Sequence, residues 1–493
     1  MPHNTIRLHD EILAATNGLP PRPATTGPAT GDLAAGLARI RGDFDLPDGF
    51  PEPVQEEAER AAKAPAVPAE DHTGLPLVTI DPPGSMDLDQ ALCIERRGPG
   101  YRVWYAIADV GAFVRPEGAI DGEARSRGET VYMADGRVPL HPPVLSEGAA
   151  SLLPGQSRPA VLWRLDLDAE GEIEAVDLRR ALVRSRDRLD YATVQAAVDA
   201  GRAEGTLALL AEVGPLRLQR ERARGGLSLP TPDQEVVADG DGGYRLEFRA
   251  NQPCESWNAQ ISLLTGIAAA RIMLEAGVGV LRVLPQAGPE DVAKVRRVAA
   301  ALGVPWPDGA TYADVVHGID PALPGHAAFL HESTVLLRGA SYTAFDGNPP
   351  EQSLHAAVGA PYAHVTAPLR RLVDRYGTEV CLAVTAGRPV PEDVARALPD
   401  LPGRMAEGGR RAAAVERACV DLVEAAVLRP RIGQVFEAVV IDVTDGKPGG
   451  QVQVADPAVI ARCDGDRLPL GERIPVRLTR ADPATREVRF TAA

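Results

Sequence analysis

Thr79–Ala91 reads TIDPPGSMDLDQA, and the reading of the whole chain turns on its three aspartates, Asp81, Asp87 and Asp89, with Gln90 beside the last. Side chains in a strand alternate between faces, so Asp87 and Asp89 are expected to point the same way and to set two anions side by side. Asp81 stands upstream of the pair. At about 3.3 Å per residue an extended chain would hold it roughly 20 Å from Asp87, so the segment between has to double back. Pro82-Pro83-Gly84-Ser85 suits such a turn, with φ fixed at the prolines and permissive at the glycine. Carboxylates converging in this way raise one another's pKa or demand a counter-ion. Hard oxygen ligands with no His or Cys in the segment select Mg²⁺ or Mn²⁺ over zinc. By spacing alone, a solvated aspartate-rich turn stays open as the other reading.

Downstream and upstream of the aspartates the texture is that of a sheet. From about Leu75 the runs PLVTID, ALCIE, YRVWYAIADV and AVLWRLDLD predict adjacent strands of a mixed or antiparallel sheet. Helical periodicity follows over Tyr191–Arg224, Cys254–Ala276 and Pro289–Leu302, which makes an α+β catalytic body the economical description. After Arg429-Pro430, short strands with Gly, Pro and Asp turns predict a small closed barrel of OB type. Before the body, Thr5–Ala15, Asp32–Phe44 and Glu56–Ala64 predict short helices around a proline-rich loop, Gly18–Gly31. A nucleic-acid-reading helix-turn-helix and a packing appendage both fit them. The expected organisation is a helical N-terminal domain over 1–64, the catalytic domain over 65–429 and the barrel over 430–493.

A chain of 493 residues allows two to four domains and a large core. Ordinary apolar (45%) and charged (24%) fractions exclude global disorder and collagen-like sequence. Cys93, Cys254, Cys381, Cys419 and Cys463 are scattered without a C-x-x-C pair, which fits a reducing cytoplasm rather than a disulfide framework or zinc site. The N-terminal stretch lacks the pattern of a secretory signal, and no segment approaches 18 unbroken apolar residues, so no membrane role is expected. A formal charge of −16 argues against a nucleic-acid partner on average, although averages hide local patches. Only three of the 52 basic residues are lysine, a bias that a GC-rich coding sequence explains and that carries no functional conclusion.

The aspartate segment resembles the hallmark of the RNB family of exoribonucleases, the ribonuclease II and ribonuclease R type, in which T-I-D and a short turn precede D-x-D-D-A. Asp81, Asp87 and Asp89 fall on three of the four family aspartates and Gln90 on the fourth. That departure removes one charged ligand, so the resemblance implies a second metal that is held more weakly or through an amide oxygen. Further matches follow in the family's order. YRVWYAIADVGAFV resembles the strand and loop after the aspartates, and in RGETVYMADGRVPLHPPVLSEGAASLLPG Tyr132 lies where the family has a tyrosine that stacks on a base. YAHVTAPLRRLVDRYG resembles Y-A-H-F-T-S-P-I-R-R-Y-x-D, with Ala367 in place of the usual serine. There Arg370 falls on the arginine that contacts the scissile phosphate, and Arg371 is placed to hold neighbouring phosphates. RRAAAVERACVDLVEAAVL resembles the family's last helix and puts Glu416 on its glutamate near the terminal nucleotides, whereas Ala259 and Gly266 stand where Glu and Asn are usual.

The resemblance implies a processive 3′-to-5′ exoribonuclease that hydrolyses single-stranded RNA, threaded down a narrow channel, to nucleoside 5′-monophosphates. It implies a two-metal Mg²⁺ site, with Mn²⁺ as the alternative ion, on Asp81, Asp87, Asp89 and Gln90. Because Mg²⁺ keeps waters and coordinates substrate phosphate, the site is expected to assemble fully only with RNA present. The partner is single-stranded RNA; no membrane or obligate protein partner is indicated, and a cytoplasmic monomer is expected. A catalytically impaired RNA-binding relative is the alternative. The family usually carries two cold-shock barrels before the catalytic body, and the helical N-terminal segment is too short to hold them. The C-terminal barrel has only Phe436 and Phe490 as aromatics, so weak capture of long RNA is expected.

Overall fold

The computed structural model describes residues 7–8, 28–227, 233–238, 244–249, 251–320, 323–443, 448–456 and 458–493. The strands around the aspartates do form a mixed sheet, and it closes on itself. Strands β1 (Leu77–Asp81), β2 (Gln90–Arg97), β3 (Gly100–Ala108), β6 (Ser157–Leu167) and β7 (Ile173–Asp190) make a five-stranded barrel in that order. Its joints are antiparallel except where β1 runs parallel to β7, pairing Ile80 with Leu189 and Asp81 with Asp190. Between β3 and β6 the chain leaves the barrel to build a short hairpin, β4 (Val131–Met133) and β5 (Gly136–Val138). Closure removes the free edges that an open sheet of this size would expose.

Period-two alternation decides what covers the barrel strands. On β3 and β6, Val103, Tyr105, Ile107, Val161, Trp163 and Leu165 pack into one cluster with helix residues Ile261, Leu264 and Val373. The intervening Ala106, Ala108, Ala160 and Leu162 pack into a second cluster with Val54 and Ala58. Both faces of the strands are thus buried, which is why their sequences read as nearly continuous apolar runs.

Seven helices position the site: α1 (Pro28–Asp43), α2 (Glu52–Lys63), α3 (Ala119–Arg127), α4 (Gly205–Ala223), α5 (Pro253–Ala276), α6 (Leu372–Thr385) and α7 (Leu401–Leu428). The periodic stretch Tyr191–Arg224 is split into Tyr191–Asp199 and α4. Helix α5 opens on a Gln252–Glu255 capping box with Pro253 in its first turn and ends at Gly277 in the left-handed conformation. It is long and apolar enough to cross a membrane by composition, but Ile261, Leu264, Ala268 and Met273 lie in the core. Gly266 answers one departure noted in the sequence. A side chain there would run into the Tyr362 ring, and the Gly266 carbonyl accepts from the Ala363 N–H at 3.1 Å.

At the N-terminus, the helix predicted over Thr5–Ala15 is not what Arg7–Leu8 form: they are a two-residue strand paired in parallel with Asp233–Ala238. The rest of that stretch lies outside the described residues. The other two predicted helices are present as α1 and α2, and α1 is used for packing. Leu33, Leu37 and Ile40 share a core with Val415, Leu422 and Val423 of α7. The same core continues into the C-terminal barrel, whose strands Val435–Val443 (β8), Gly450–Val454 (β9), Val459–Asp464 (β10), Arg473–Asp482 (β11) and Glu487–Ala492 (β12) close in the order β8-β9-β10-β12-β11.

Candidate active site

Asp81 ends β1, and the chain turns back through Pro82–Ser85, where Ser85 N–H donates to the Pro82 carbonyl at 3.2 Å and Gly84 takes φ 76°. Asp87 and Asp89 lie before β2, outside the regular strand, which corrects the expectation that a strand sets their common face. That chain is held by Ser151: its hydroxyl accepts from the Leu88 N–H at 3.0 Å and donates to the Met86 carbonyl at 2.6 Å. The side chain of Leu88 is fully buried between the two acids.

The three carboxylates share an electrostatic neighbourhood. Asp81 is pushed up to about 7, first by burial and then by Asp87, with Arg370 acting against both. Its Oδ2 is buried and has no hydrogen-bond partner. Asp89 is held well above the usual carboxylate range by burial, opposed by Arg370 and by the Leu369 N–H, which donates to Asp89 Oδ1 at 2.8 Å. Asp87 accepts from Arg137 Nη1 at 2.6 Å. Convergence goes only part of the way, however: among the described residues no three acidic, His or Cys side chains gather closely enough to hold an ion together. The donor set nevertheless suits a hard divalent cation. An orphaned buried carboxylate oxygen on Asp81, raised further by the charge of Asp87, is a group that a cation stabilises.

The second block arrives from far along the chain. Arg370 places Nε 3.9 Å from Asp89 Oδ2, and its side chain is 42% exposed. A solvent-facing guanidinium beside buried acids can meet an incoming phosphate. Arg371, expected on neighbouring phosphates, is committed elsewhere: Nε and Nη2 each donate to the Asp374 carboxylate at 2.8 Å, and that carboxylate, fully buried, also accepts from the Ala367 N–H. Its guanidinium locks the start of α6 to the loop before it.

Gln90 is also engaged at both ends. Its Nε2 donates to the Thr366 carbonyl at 2.7 Å, and its Oε1 accepts from the Tyr105 hydroxyl. The amide thus ties the aspartate segment to the arginine block, and the oxygen expected on a metal is taken by a phenol. Tyr132 lies on β4, half-buried, with its phenol pushed up by burial and acted on by Arg370, Asp87 and Asp89, so it stands beside the acids. Glu416 sits on α7, half-buried, one turn before Cys419, which packs with Met133 and Ala134 of the hairpin.

Sequence reading missed the residues that hold this arrangement. Arg137 grips Asp87 and also reaches Glu147 at 2.9 Å. Asn258 donates to the Ile80 carbonyl at 3.2 Å, and Ser262 bonds Thr366 at 2.7 Å through their hydroxyls. Only Arg137 carried a signal, a basic side chain opposite Tyr132 across a tight turn.

Residues 69–380 match the RNB domain, and residues 434–493 match the RNase II-type exonuclease C-terminal S1 domain. Over 343 residues the chain is 30% identical to ribonuclease R of Escherichia coli, covering 65% of this chain and 40% of that protein, so it spans well under two thirds of that relative's length. Among solved structures it resembles apo ribonuclease R of Mycoplasma genitalium with a TM-score of 0.81 at 19% identity, over 94% of this chain and 78% of the other. It also resembles yeast Ssd1, described as a pseudonuclease, with a TM-score of 0.65 at 17% identity, over 92% of this chain and 57% of the other.

Proposed function

The chain belongs to the RNB family, and from that premise we propose that it is a processive 3′-to-5′ exoribonuclease that hydrolyses single-stranded RNA to nucleoside 5′-monophosphates. The observation that carries the reading is Arg370, half-exposed and 3.9 Å from Asp89, beside acids that burial and the charge of Asp87 have made ready for a cation. Asp81, Asp87 and Asp89 would hold Mg²⁺, or Mn²⁺ in its place. Bound there, divalent ions supply an activated water and neutralise charge on the leaving oxygen.

The chain's own residues do the rest. Arg370 meets the phosphate under attack and offsets charge building on its oxygens. Tyr132 offers a ring to the terminal base, as stacking is indifferent to base identity. Glu416 faces the terminal nucleotides from α7. Gln90 and Arg371 act as struts that fix the aspartate segment and the arginine block relative to each other. In the C-terminal barrel Phe436 and Phe490 pack edge to face at 5.9 Å inside the core, so neither is on offer to a base, and long RNA is captured weakly. Five buried thiols suit a reducing cytoplasm, where the protein acts as a monomer.

Labelled poly(A) incubated with protein and Mg²⁺ tests the reading, with Asp89→Asn as the control. Shortening that the variant abolishes supports it. A second reading, an RNA-binding relative without turnover, is favoured by the engaged amide of Gln90 and by the likeness to a pseudonuclease. RNA retained without shortening selects that one.

A further inference from the structure

The hairpin that carries Tyr132 is clamped from outside the RNB match. Its turn residue Asp135, with a side chain 7% exposed, takes a two-pronged ion pair from Arg41 of α1: Nη1 to Oδ2 at 3.0 Å and Nη2 to Oδ1 at 2.9 Å. Strand alternation then divides the hairpin between two environments. Val131 and Met133 point into the core built by Leu33, Leu37 and Ile40 of α1 and by Val415, Cys419 and Leu422 of α7. Tyr132, between them, alternates to the other face, and Arg370, Asp87 and Asp89 act on its phenol. Opposite Tyr132 on β5 stands Arg137, whose Nη1 holds Asp87. Two residues beyond Arg41, Asp43 pairs with Arg486 of the C-terminal barrel at 3.0 Å.

We propose that Arg41 is a positioning residue for RNA, acting through Asp135 to fix the hairpin so that Tyr132 and Arg137 stand at set places beside the acids. This rests on the exoribonuclease reading given above. The physical case is geometric. A hairpin with three residues in each strand is marginal by itself and takes its orientation from what packs on it. Apolar contacts with α1 and α7 hold it against the body, and the Thr130 N–H, donating to the Arg370 carbonyl at 2.9 Å, ties its base to the arginine block, but neither grips its turn. A planar guanidinium on both oxygens of one carboxylate fixes direction as well as distance. The last turn of α1 is therefore part of the substrate-binding apparatus, although it lies before the first residue of the RNB match.

The test uses the full chain and a 3′-labelled oligoribonucleotide. Arg41→Met and Asp135→Asn are each expected to raise KM about fivefold while kcat stays within about twofold, since ground-state placement is lost and the reacting groups remain. Combining either with Tyr132→Ala is expected to raise KM by less than the product of the two separate effects, because part of each acts through the same ring. Arg41→Lys, which keeps the charge but not the fork, is expected to recover only part of the effect. Hydrogen exchange at Val131–Val138 reads the clamp without turnover, and both variants are expected to lose more protection there than in the barrel strands β3 and β6. Unchanged exchange in the hairpin together with an unchanged KM overturns the proposal. If the wild-type chain itself leaves RNA intact, the exoribonuclease reading fails alone, and the clamp is judged by exchange and by oligonucleotide affinity under the same criteria.

Discussion

Arg137 and Asp87 are 50 residues apart in the chain and 2.6 Å apart in the fold. The pair occupies one oxygen of an acid that a divalent ion would also want, and Glu147 shares the guanidinium at 2.9 Å. Proton-free competition between two cations for one carboxylate has a definite sign. Arg137→Met is expected to tighten Mn²⁺ binding by about three- to tenfold in calorimetric titration, since a unit charge next to the site is removed. Weaker binding in that variant would show that the pair prearranges Asp87 instead of competing for it.

The two adjacent arginines are expected to separate cleanly. Arg371→Met leaves the fully buried Asp374 without its partner, and breaking a buried pair from one side costs about 3–5 kcal/mol. Arg370→Met removes a half-exposed side chain whose nearest acid oxygen is 3.9 Å away, which is worth about 0–1 kcal/mol of stability. Urea midpoints should therefore fall for the first and hold for the second, whereas RNA shortening should collapse in the second with the fold intact. Equal midpoints would undo the division of roles.

What the sequence shows and what it hides follows from range. The strands, the closing barrel after Arg429 and the turn at Pro82–Ser85 depend on periodicity and local φ preferences, so they are legible in a few residues at a time. Barrel closure itself is not, because the parallel joint of β1 to β7 brings Asp81 beside Asp190 across the whole barrel. The acids are legible as a group, but not as a group held open: Ser151 fixes the chain at Leu88 and the Leu369 N–H fixes Asp89, and both holders come from far along the sequence. Arg371 and Gln90 read as ligands for phosphate and metal since their types suit those partners. A buried Asp374 and a buried Tyr105 claimed them first, and side-chain type alone does not tell a free donor from an engaged one.

Gln90 gives a direct way to distinguish strut from ligand. Gln90→Met fills the same space with an apolar chain and leaves the Thr366 carbonyl and the Tyr105 hydroxyl without their partner. Stranding such groups costs about 1–3 kcal/mol each in buried surroundings. Stability should drop by about 2–6 kcal/mol for the two groups together, while Mn²⁺ affinity stays within about twofold. A ligand role predicts the reverse weighting, with a loss of affinity of at least about tenfold.

Acid should loosen the fold through buried imidazoles. His141 is 2% exposed with Nδ1 unpartnered, and burial, then Arg375, depress it to about 3, with the Pro368 carbonyl acting the other way. Burial likewise lowers His355 to about 4 and holds His364 well below its ordinary value. For such a group the unfolded chain takes up a proton near pH 6.5 and the folded chain does not, so its contribution is complete above that pH. It is lost as pH falls toward the folded value, at about 1.4 kcal/mol per unit. Asp81, raised to about 7, works with the opposite sign: its contribution is present at low pH and is lost as pH rises through that value. The net curve therefore mixes both, and a single substitution isolates one. His141→Gln keeps an amide donor for the Pro368 carbonyl and cannot titrate. Its stability, read from urea midpoints between pH 6 and pH 4.5, should fall less steeply than the wild type by about 1.4 kcal/mol per unit. Parallel curves would mean that His141 takes up its proton in the folded protein as readily as in the unfolded chain, which a side chain buried among Arg375 and Arg127 has no solvent to support.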